Sequence, residues 1–346
     1  TSMFKPFRYF VKRRPNSWSR RFACVLFVST MAAGMPDKPK DDPPSLPLER
    51  ETLHIYSMRA HVNNKTHSIG WPLLPQTNWS EVDVATLQFL DGNGAQIPFE
   101  VEPVATNEKQ WHATVSAKSY SVQWTARAYS SKVHEAQAVE IAWPDAWSDD
   151  LLLYLQPSRF IESGDEIFAK AVEDNGDPKS VSIHIAAKVL IRYCLQNIQS
   201  NGRYSQSVKN VTTGIDVKGA RYAVKQGKGS ASDLVCVCIA TLRNAGIPAR
   251  PVVGITNVDS VGTKRIDPQF IVWGEYALPG AGWVPFFPER MRGTVDNLSR
   301  TESWQGLGTL PWLNRRIPIA WNFDCFDVDR ITATQNLEMN LVSSPN

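Results

Sequence analysis

The chain has 346 residues, 42% of them hydrophobic and 21% charged, so it can bury a large core and has room for more than one domain. Its formal net charge of +3 has a local origin. Lys5, Arg8, Lys12, Arg13, Arg14, Arg20 and Arg21 all precede the first acid, Asp37, and without them 30 basic residues face 34 acidic ones. A mildly acidic body excludes the basic face that a nucleic-acid binder needs, and five cysteines are too few for a disulfide framework.

Residues 1–35 form a basic N-terminal segment that ends in the apolar run Phe22 to Met35, FACVLFVSTMAAGM. A positive region, about 14 apolar residues and small residues at the end describe an export signal. As a helix the run measures about 21 Å, short of a hydrocarbon core of roughly 30 Å. Two readings stay open: a cleaved signal peptide, or a retained short anchor with its basic end in the cytoplasm. A mitochondrial presequence is a third option for an Arg-rich, acid-free leader. Residues 36–49 are a Pro-rich, charged linker, expected to be extended and semi-rigid.

Residues 50–157 read as a β-sandwich. Tyr120, Val122, Trp124, Ala126 and Ala128 alternate with polar residues, and Val139, Ile141 and Trp143 repeat the pattern. Asp91-Gly92-Asn93-Gly94, between two apolar runs, is a hairpin signal. Histidines 54, 61, 67, 112 and 134 are scattered here without metal-ligand spacing. Asn64-Lys-Thr and Asn78-Trp-Ser fit glycosylation sequons.

Residues 158–346 change character. Ser163-Gly-Asp-Glu166 is a capping box opening a short helix through about Val172. Asp177-Pro178 starts a longer helix, with Ile183, Ala187, Leu190, Ile191, Cys194 and Ile198 on one face and Asn201-Gly202 at its end. The most informative stretch is Gly227 to Ile255, GKGSASDLVCVCIATLRNAGIPARPVVGI. Ser230 and Asp233 form a capping box. Leu234, Cys238, Thr241, Leu242 and Ala245 make an apolar face, Gly246 supplies a left-handed cap, and Pro248 forbids continuation. A strand begins at Val252 and Val253.

The wording of this stretch resembles the core motif of the transglutaminase-like superfamily, a branch of the papain-like cysteine fold. Gly229, Asp233, Arg243, Gly246, Ile247, Pro248, Ala249 and Arg250 keep the pattern, and Leu242 keeps it in part. A second block, Ile271 to Pro288, IVWGEYALPGAGWVPFFP, keeps Trp273, Glu275, Gly282, Trp283 and Pro288. The resemblance covers roughly 158–335, and LGTLPWLNRRIPIAWNFD resembles the segment with which bacterial secreted members close their sheet. It implies an α+β fold: an N-terminal β-sandwich, then a transglutaminase-like core with helices packed on an antiparallel sheet.

In an active relative a cysteine at the helix N-terminus is the nucleophile, a strand histidine takes its proton, and an aspartate orients the histidine. Here those positions are Ala231, Ile271 and Phe287. None can do the chemistry. Cys238 points within about 20° of Ala231 but roughly 10 Å deeper along the helix, and Cys236 faces away. Cys236-x-Cys238 reads as small buried packing residues. Ser230 and Ser232 flank the position but need a base, and His184 is the only candidate. Trp273, Glu275 and Trp283 read as structural parts of a hairpin, and Arg243 and Arg250 as anchors of helix and strand ends.

The expectation is a pseudoenzyme with no catalytic, cofactor or metal site, exported and tethered, and serving as an accessory or structural subunit beside a protein partner, a membrane complex included. Nucleic acid is not expected. Two alternatives remain: a peptidase or amidase with an unrecognised nucleophile, and a non-catalytic module binding peptide or cell-wall peptide.

Overall fold

The computed structural model describes residues 47–63, 70–104, 107–208, 211–259, 262, 265–323 and 334–345. The basic N-terminal segment, most of the linker, the Asn64 sequon, His67, Cys24 and Cys325 lie outside the described residues.

The N-terminal part is built from six strands, β1 (Leu48–Asn63), β2 (Trp71–Leu73), β3 (Ser80–Leu90), β4 (Phe99–Val104), β5 (Asn107–Val115) and β6 (Ser119–Val133). Alternation decides their faces: Tyr120, Val122, Trp124, Ala126 and Ala128 of β6 are buried, while Arg127 between them is exposed. Two sheets stack through these inward residues. Trp71 meets Trp124 at 5.4 Å between ring centroids and Phe89 meets Phe99 at 4.8 Å, within the range of favourable aromatic pairs. One sheet has the order β2-β5-β4.

The second part begins with α1 (Glu135–Ala138), α2 (Asp149–Leu152), α3 (Glu166–Glu173) and α4 (Ile183–Asn197). Then come β7 (Gln199–Ser200), β8 (Ser205–Val208), β9 (Val211–Ile215), α5 (Ala220–Gln226), β10 (Lys228–Gly229) and α6 (Ala231–Asn244). The chain continues through β11 (Ala249–Val258), β12 (Arg265–Leu278), β13 (Gly282–Phe286), α7 (Pro288–Met291), β14 (Arg316–Ala320) and β15 (Thr334–Ser343). Strands β13-β12-β11-β14 form an antiparallel sheet. The RIPIA segment is thus β14 and closes the sheet against β11. The last strand, β15, returns to the sandwich and pairs with β1, giving the order β15-β1-β6-β3.

Helix α6 is the axis of the second part. Its capping box is complete: Ser230 Oγ accepts from the Asp233 N–H, and the Asp233 carboxylate accepts from the Ser230 N–H. Its far end closes at Gly246, φ +83°, with the Ile247 N–H bonded to the Leu242 carbonyl. The apolar stripe read from the sequence understates its burial. Every residue from Ala231 to Arg243 is buried, because α3, α4, α5, β11 and β12 surround it. All ten residues of β11 are buried as well, as expected for a strand covered on both faces.

Four local expectations need correction. Val139 to Trp143 does not form a strand; α1 precedes an irregular stretch in which the Trp143 indole N–H is satisfied by the Val181 carbonyl. The Asp91 turn forms, with Asp91 Oδ1 accepting from Asn93 and Ala95, but it carries the chain from one sheet to the other rather than joining neighbours. The cap of α3 is Asp165, whose side chain accepts from Ile167, not Ser163. Asp177 caps only a single 3₁₀ turn, Pro178–Ser180, and α4 starts after Ser182.

Residues 45–346 form one compact unit. Its two parts are bound together by polar contacts: Trp79 Nε1 donates to the Trp283 carbonyl (3.2 Å), and Gln110 Oε1 accepts from the Trp321 N–H (2.7 Å). Among the described residues no helix is long and apolar enough to cross a membrane.

Candidate functional site

Ala231 is the first residue of α6 and is wholly buried. At an active helix N-terminus the backbone N–H of the nucleophile position is a donor free to meet a developing oxyanion. Here the Ala231 N–H donates to the Arg203 carbonyl at 2.9 Å. The next residue, Ser232, donates its hydroxyl to the Tyr204 carbonyl at 3.3 Å. The 203–204 segment therefore lies directly across the helix end.

Ile271 lies in β12 opposite Gly254 of β11 and is 1% exposed. Gly254 has a steric reason to be glycine. A Cβ there would stand 2.6 Å from the Trp273 ring and 2.7 Å from the Ile317 carbonyl. Trp273 lies over it and stacks on Phe287, ring centroids 5.7 Å apart and planes 19° apart. Phe287 is 1% exposed, with the Arg316 guanidinium 4.4 Å from its ring centroid. The three triad positions are thus closed and apolar, and the ring at the aspartate position is held by an indole and a cation.

Residues 182–288 match the family model of the transglutaminase-like superfamily. They are a transglutaminase-like core. Among solved structures the chain is similar to a candidate cysteine protease from Cytophaga hutchinsonii, at 14% identity over 86% of this chain and 93% of that one, with a TM-score of 0.56. The periplasmic domain of TgpA from Pseudomonas aeruginosa aligns at 13% identity over 71% of this chain and 93% of that one, with a TM-score of 0.30. A search of curated proteins returns no match.

Within this transglutaminase-like core the other nucleophile candidates are spoken for. Cys236 and Cys238 are wholly buried, and burial pushes both thiols well above their ordinary range. Cys194 contacts Cys238 and reaches Thr241 Oγ1 at 3.4 Å, which draws its thiol down inside the core without exposing it. Ser230 uses its hydroxyl as a helix cap and as a donor to the Asp216 carbonyl. No histidine is bonded to it among the described residues.

His184 lies elsewhere, in a buried cluster that the sequence did not reveal. Its Nε2 is 3.0 Å from Glu135 and its Nδ1 is 2.6 Å from the Tyr276 hydroxyl. A carboxylate only accepts, so Nε2 carries the proton and Nδ1 accepts from Tyr276. Lys188, one turn along α4 and wholly buried, bonds to the same Glu135 carboxylate and to the Arg300 and Glu302 carbonyls. Burial lowers Lys188 to about 7 and His184 to about 4. The one available signal was the His184/Lys188 spacing of four, which puts both on one helical face.

This cluster sets an acid limit. Folded His184 titrates near 4 rather than 6.5, so between those values the unfolded chain binds a proton that the folded one lacks. Its contribution is complete above pH 6.5 and lost as pH falls through about 4, roughly 3 kcal/mol at 1.36 kcal/mol per unit. Urea midpoints measured across this window should fall with pH, and His184→Gln should flatten the fall.

Arg243 near the end of α6 and Arg250 of the GIPAR stretch turn inward to backbone and carboxylate. Arg243 donates to the Ala249 carbonyl (2.7 Å) and the Gln156 carbonyl (2.6 Å), tying the end of α6 to the following strand and the preceding loop. Arg250 pairs with its cross-strand neighbour Glu275 at 2.8 Å, and its guanidinium packs 3.7 Å from the Trp283 ring and 4.1 Å from Trp321. Glu275, Trp273 and Trp283 all serve packing. Among the described residues no three His, Cys, Asp or Glu side chains cluster as a metal site would require.

Proposed function

We propose that this chain is a catalytically inactive transglutaminase-like protein, exported and tethered to a membrane, that serves as an accessory or structural subunit of a larger assembly. The filled triad carries the inactive part of this reading. Acyl transfer needs a nucleophile, a base and a free donor at the oxyanion position. Ala231, Ile271 and Phe287 offer none of the first two, and the Ala231 N–H is already spent on Arg203. A single substitution leaves a pocket that can be rescued; three buried apolar side chains leave packed core. The basic leader and its apolar run support the export and tether, and a fold without chemistry still has surfaces with which to hold a partner.

Full-length protein is expected to incorporate no amine into glutamine peptides and to hydrolyse no peptide above a protein-free control. Turnover that is lost in Cys238→Ser or Ser230→Ala would sink this reading. Gentle detergent extraction from the native membrane should yield a particle much larger than 38.7 kDa, of fixed stoichiometry and with residues 1–35 intact. A free soluble monomer lacking that segment would remove the tether and the subunit role together.

A further inference from the structure

Three exposed cations of the transglutaminase-like core line one groove. Helix α5 and the short parallel pair of β7 and β10 frame a groove of about 460 Å³ that reaches Ser230, one residue short of the closed nucleophile position. Such a volume falls in the roughly 300–1,000 Å³ range of ligand sites. Arg203, Lys218 and Lys228 line it, all three exposed. Among the described residues none of them has a carboxylate within ion-pair distance; Lys218 instead leans on Tyr222, 4.9 Å from its ring centroid. Tyr222 is 39% exposed, one of few large side chains so open. Three cations here face two carboxylates of the same groove, Asp216 and Asp233, which leaves an excess of one positive charge on a body that is otherwise mildly acidic.

The floor has the opposite sign. Asp216 is half-buried there, its carboxyl pushed up by burial and by Asp233 against the opposing pull of Lys218 and Arg203. Asp233 itself is engaged by the N–H groups of Lys218, Gly219 and Ser230. At the end of α6 the Ala231 and Asp233 N–H groups are taken by the Arg203 carbonyl and the Ser230 hydroxyl. The groove therefore presents an acceptor on its floor and cations along its rim.

We propose that this groove docks an extended, acidic peptide segment of the partner protein, its backbone N–H groups toward Asp216 and its carboxylates toward Arg203, Lys218 and Lys228. A peptide brings N–H donors for the Asp216 carboxylate and negative charge for the one cation in excess. Nucleic acid fits worse. Its backbone has no N–H donor for Asp216, whose charge repels phosphate, and single strands want successive stacking platforms where the groove has one tyrosine. The inference rests on the accessory-subunit reading and gives the partner a chemical character.

The probe is a fluorescein-labelled octapeptide of alternating glutamate and glycine, titrated with the full-length protein and followed by anisotropy. Saturable binding is expected, weakening several-fold between 50 and 200 mM salt, as exposed charge pairs do over about one Debye length. Arg203→Glu combined with Lys228→Glu should weaken it by about tenfold or more. Lys228→Glu alone should weaken binding more than Lys225→Glu, which makes the same charge change on α5 but outside the groove and should stay within about twofold. Thermal melts of these surface variants verify that they fold. No saturable binding, equal loss in Lys225→Glu, or tighter binding of an oligothymidylate of the same length would each overturn the proposal. Cleavage of the bound peptide, or amine incorporation, would instead overturn the inactive reading while leaving the docking groove in place.

Discussion

Replacing Phe287 by alanine is expected to destabilise the protein by about 3–5 kcal/mol, the usual cost of deleting a buried aromatic ring. Phe287 is 1% exposed and sits against both the Trp273 indole and the Arg316 guanidinium. Removing it leaves a cavity against two large side chains whose positions are fixed by other contacts: Trp273 by the close approach at Gly254, Arg316 by its bond to the Trp312 carbonyl. Arg316 is itself buried, and burial lowers it to about 10, so a cation would lose its aromatic neighbour without gaining water. Phe287→Leu, which keeps much of the volume, should cost far less, about 1–1.5 kcal/mol. Urea denaturation measures both, with an unchanged slope showing that only stability moved. An aspartate position that still lined an open cleft would tolerate alanine with almost no loss. The size of this effect therefore reports whether the triad position has become core.

Much of this was legible in the chain because the signals were local and chemical. The Ser230–Asp233 box and Gly246 state where α6 begins and ends, and the structure places both ends there. That Ala231, Ile271 and Phe287 carry no thiol, imidazole or carboxylate is legible from their identities alone. Other features were hidden because they depend on tertiary partners. Val139 to Trp143 alternates as a strand would, but no neighbouring strand pairs with it, and Trp143 finds its acceptor in a loop about 40 residues away. Ser163 and Asp165 both head plausible caps, and only the backbone decides that Asp165 accepts the bond. Lys188 belongs to a helical face that reads as amphipathic, yet it is buried because Glu135, distant in sequence, comes to meet it. The basic groove assembles from segments near 200, 218 and 228, so no single motif announces it. The same holds for the Ala231 N–H: that its donor is consumed by Arg203 is a fact of loop placement, not of composition.

Truncating Glu275 to alanine is the other change expected to have a large effect, again about 3–5 kcal/mol. Glu275 is 2% exposed, and burial pushes its carboxyl up while Arg250 draws it down. The two residues are cross-strand partners in β11 and β12, bonded at 2.8 and 2.9 Å. The Arg250 guanidinium also packs against the Trp283 and Trp321 rings, close to the seam where Gln110 and Trp79 reach across from the sandwich. Removing the carboxylate strands a buried cation between aromatic rings, and the desolvation cost that Glu275 offset is then exposed in full. Removing both charges together gives a different result. Arg250→Met with Glu275→Leu leaves no charge unpaired and should lose much less than Glu275→Ala alone, since a buried ion pair gains little over well-packed apolar groups. That difference, read from urea midpoints of the two variants, separates two roles for a motif that enzymes and this chain share. A pair kept for chemistry would show its loss in turnover. A pair kept for architecture shows it in stability, with the single substitution worse than the double, and that ordering is the one expected under the proposed inactive reading.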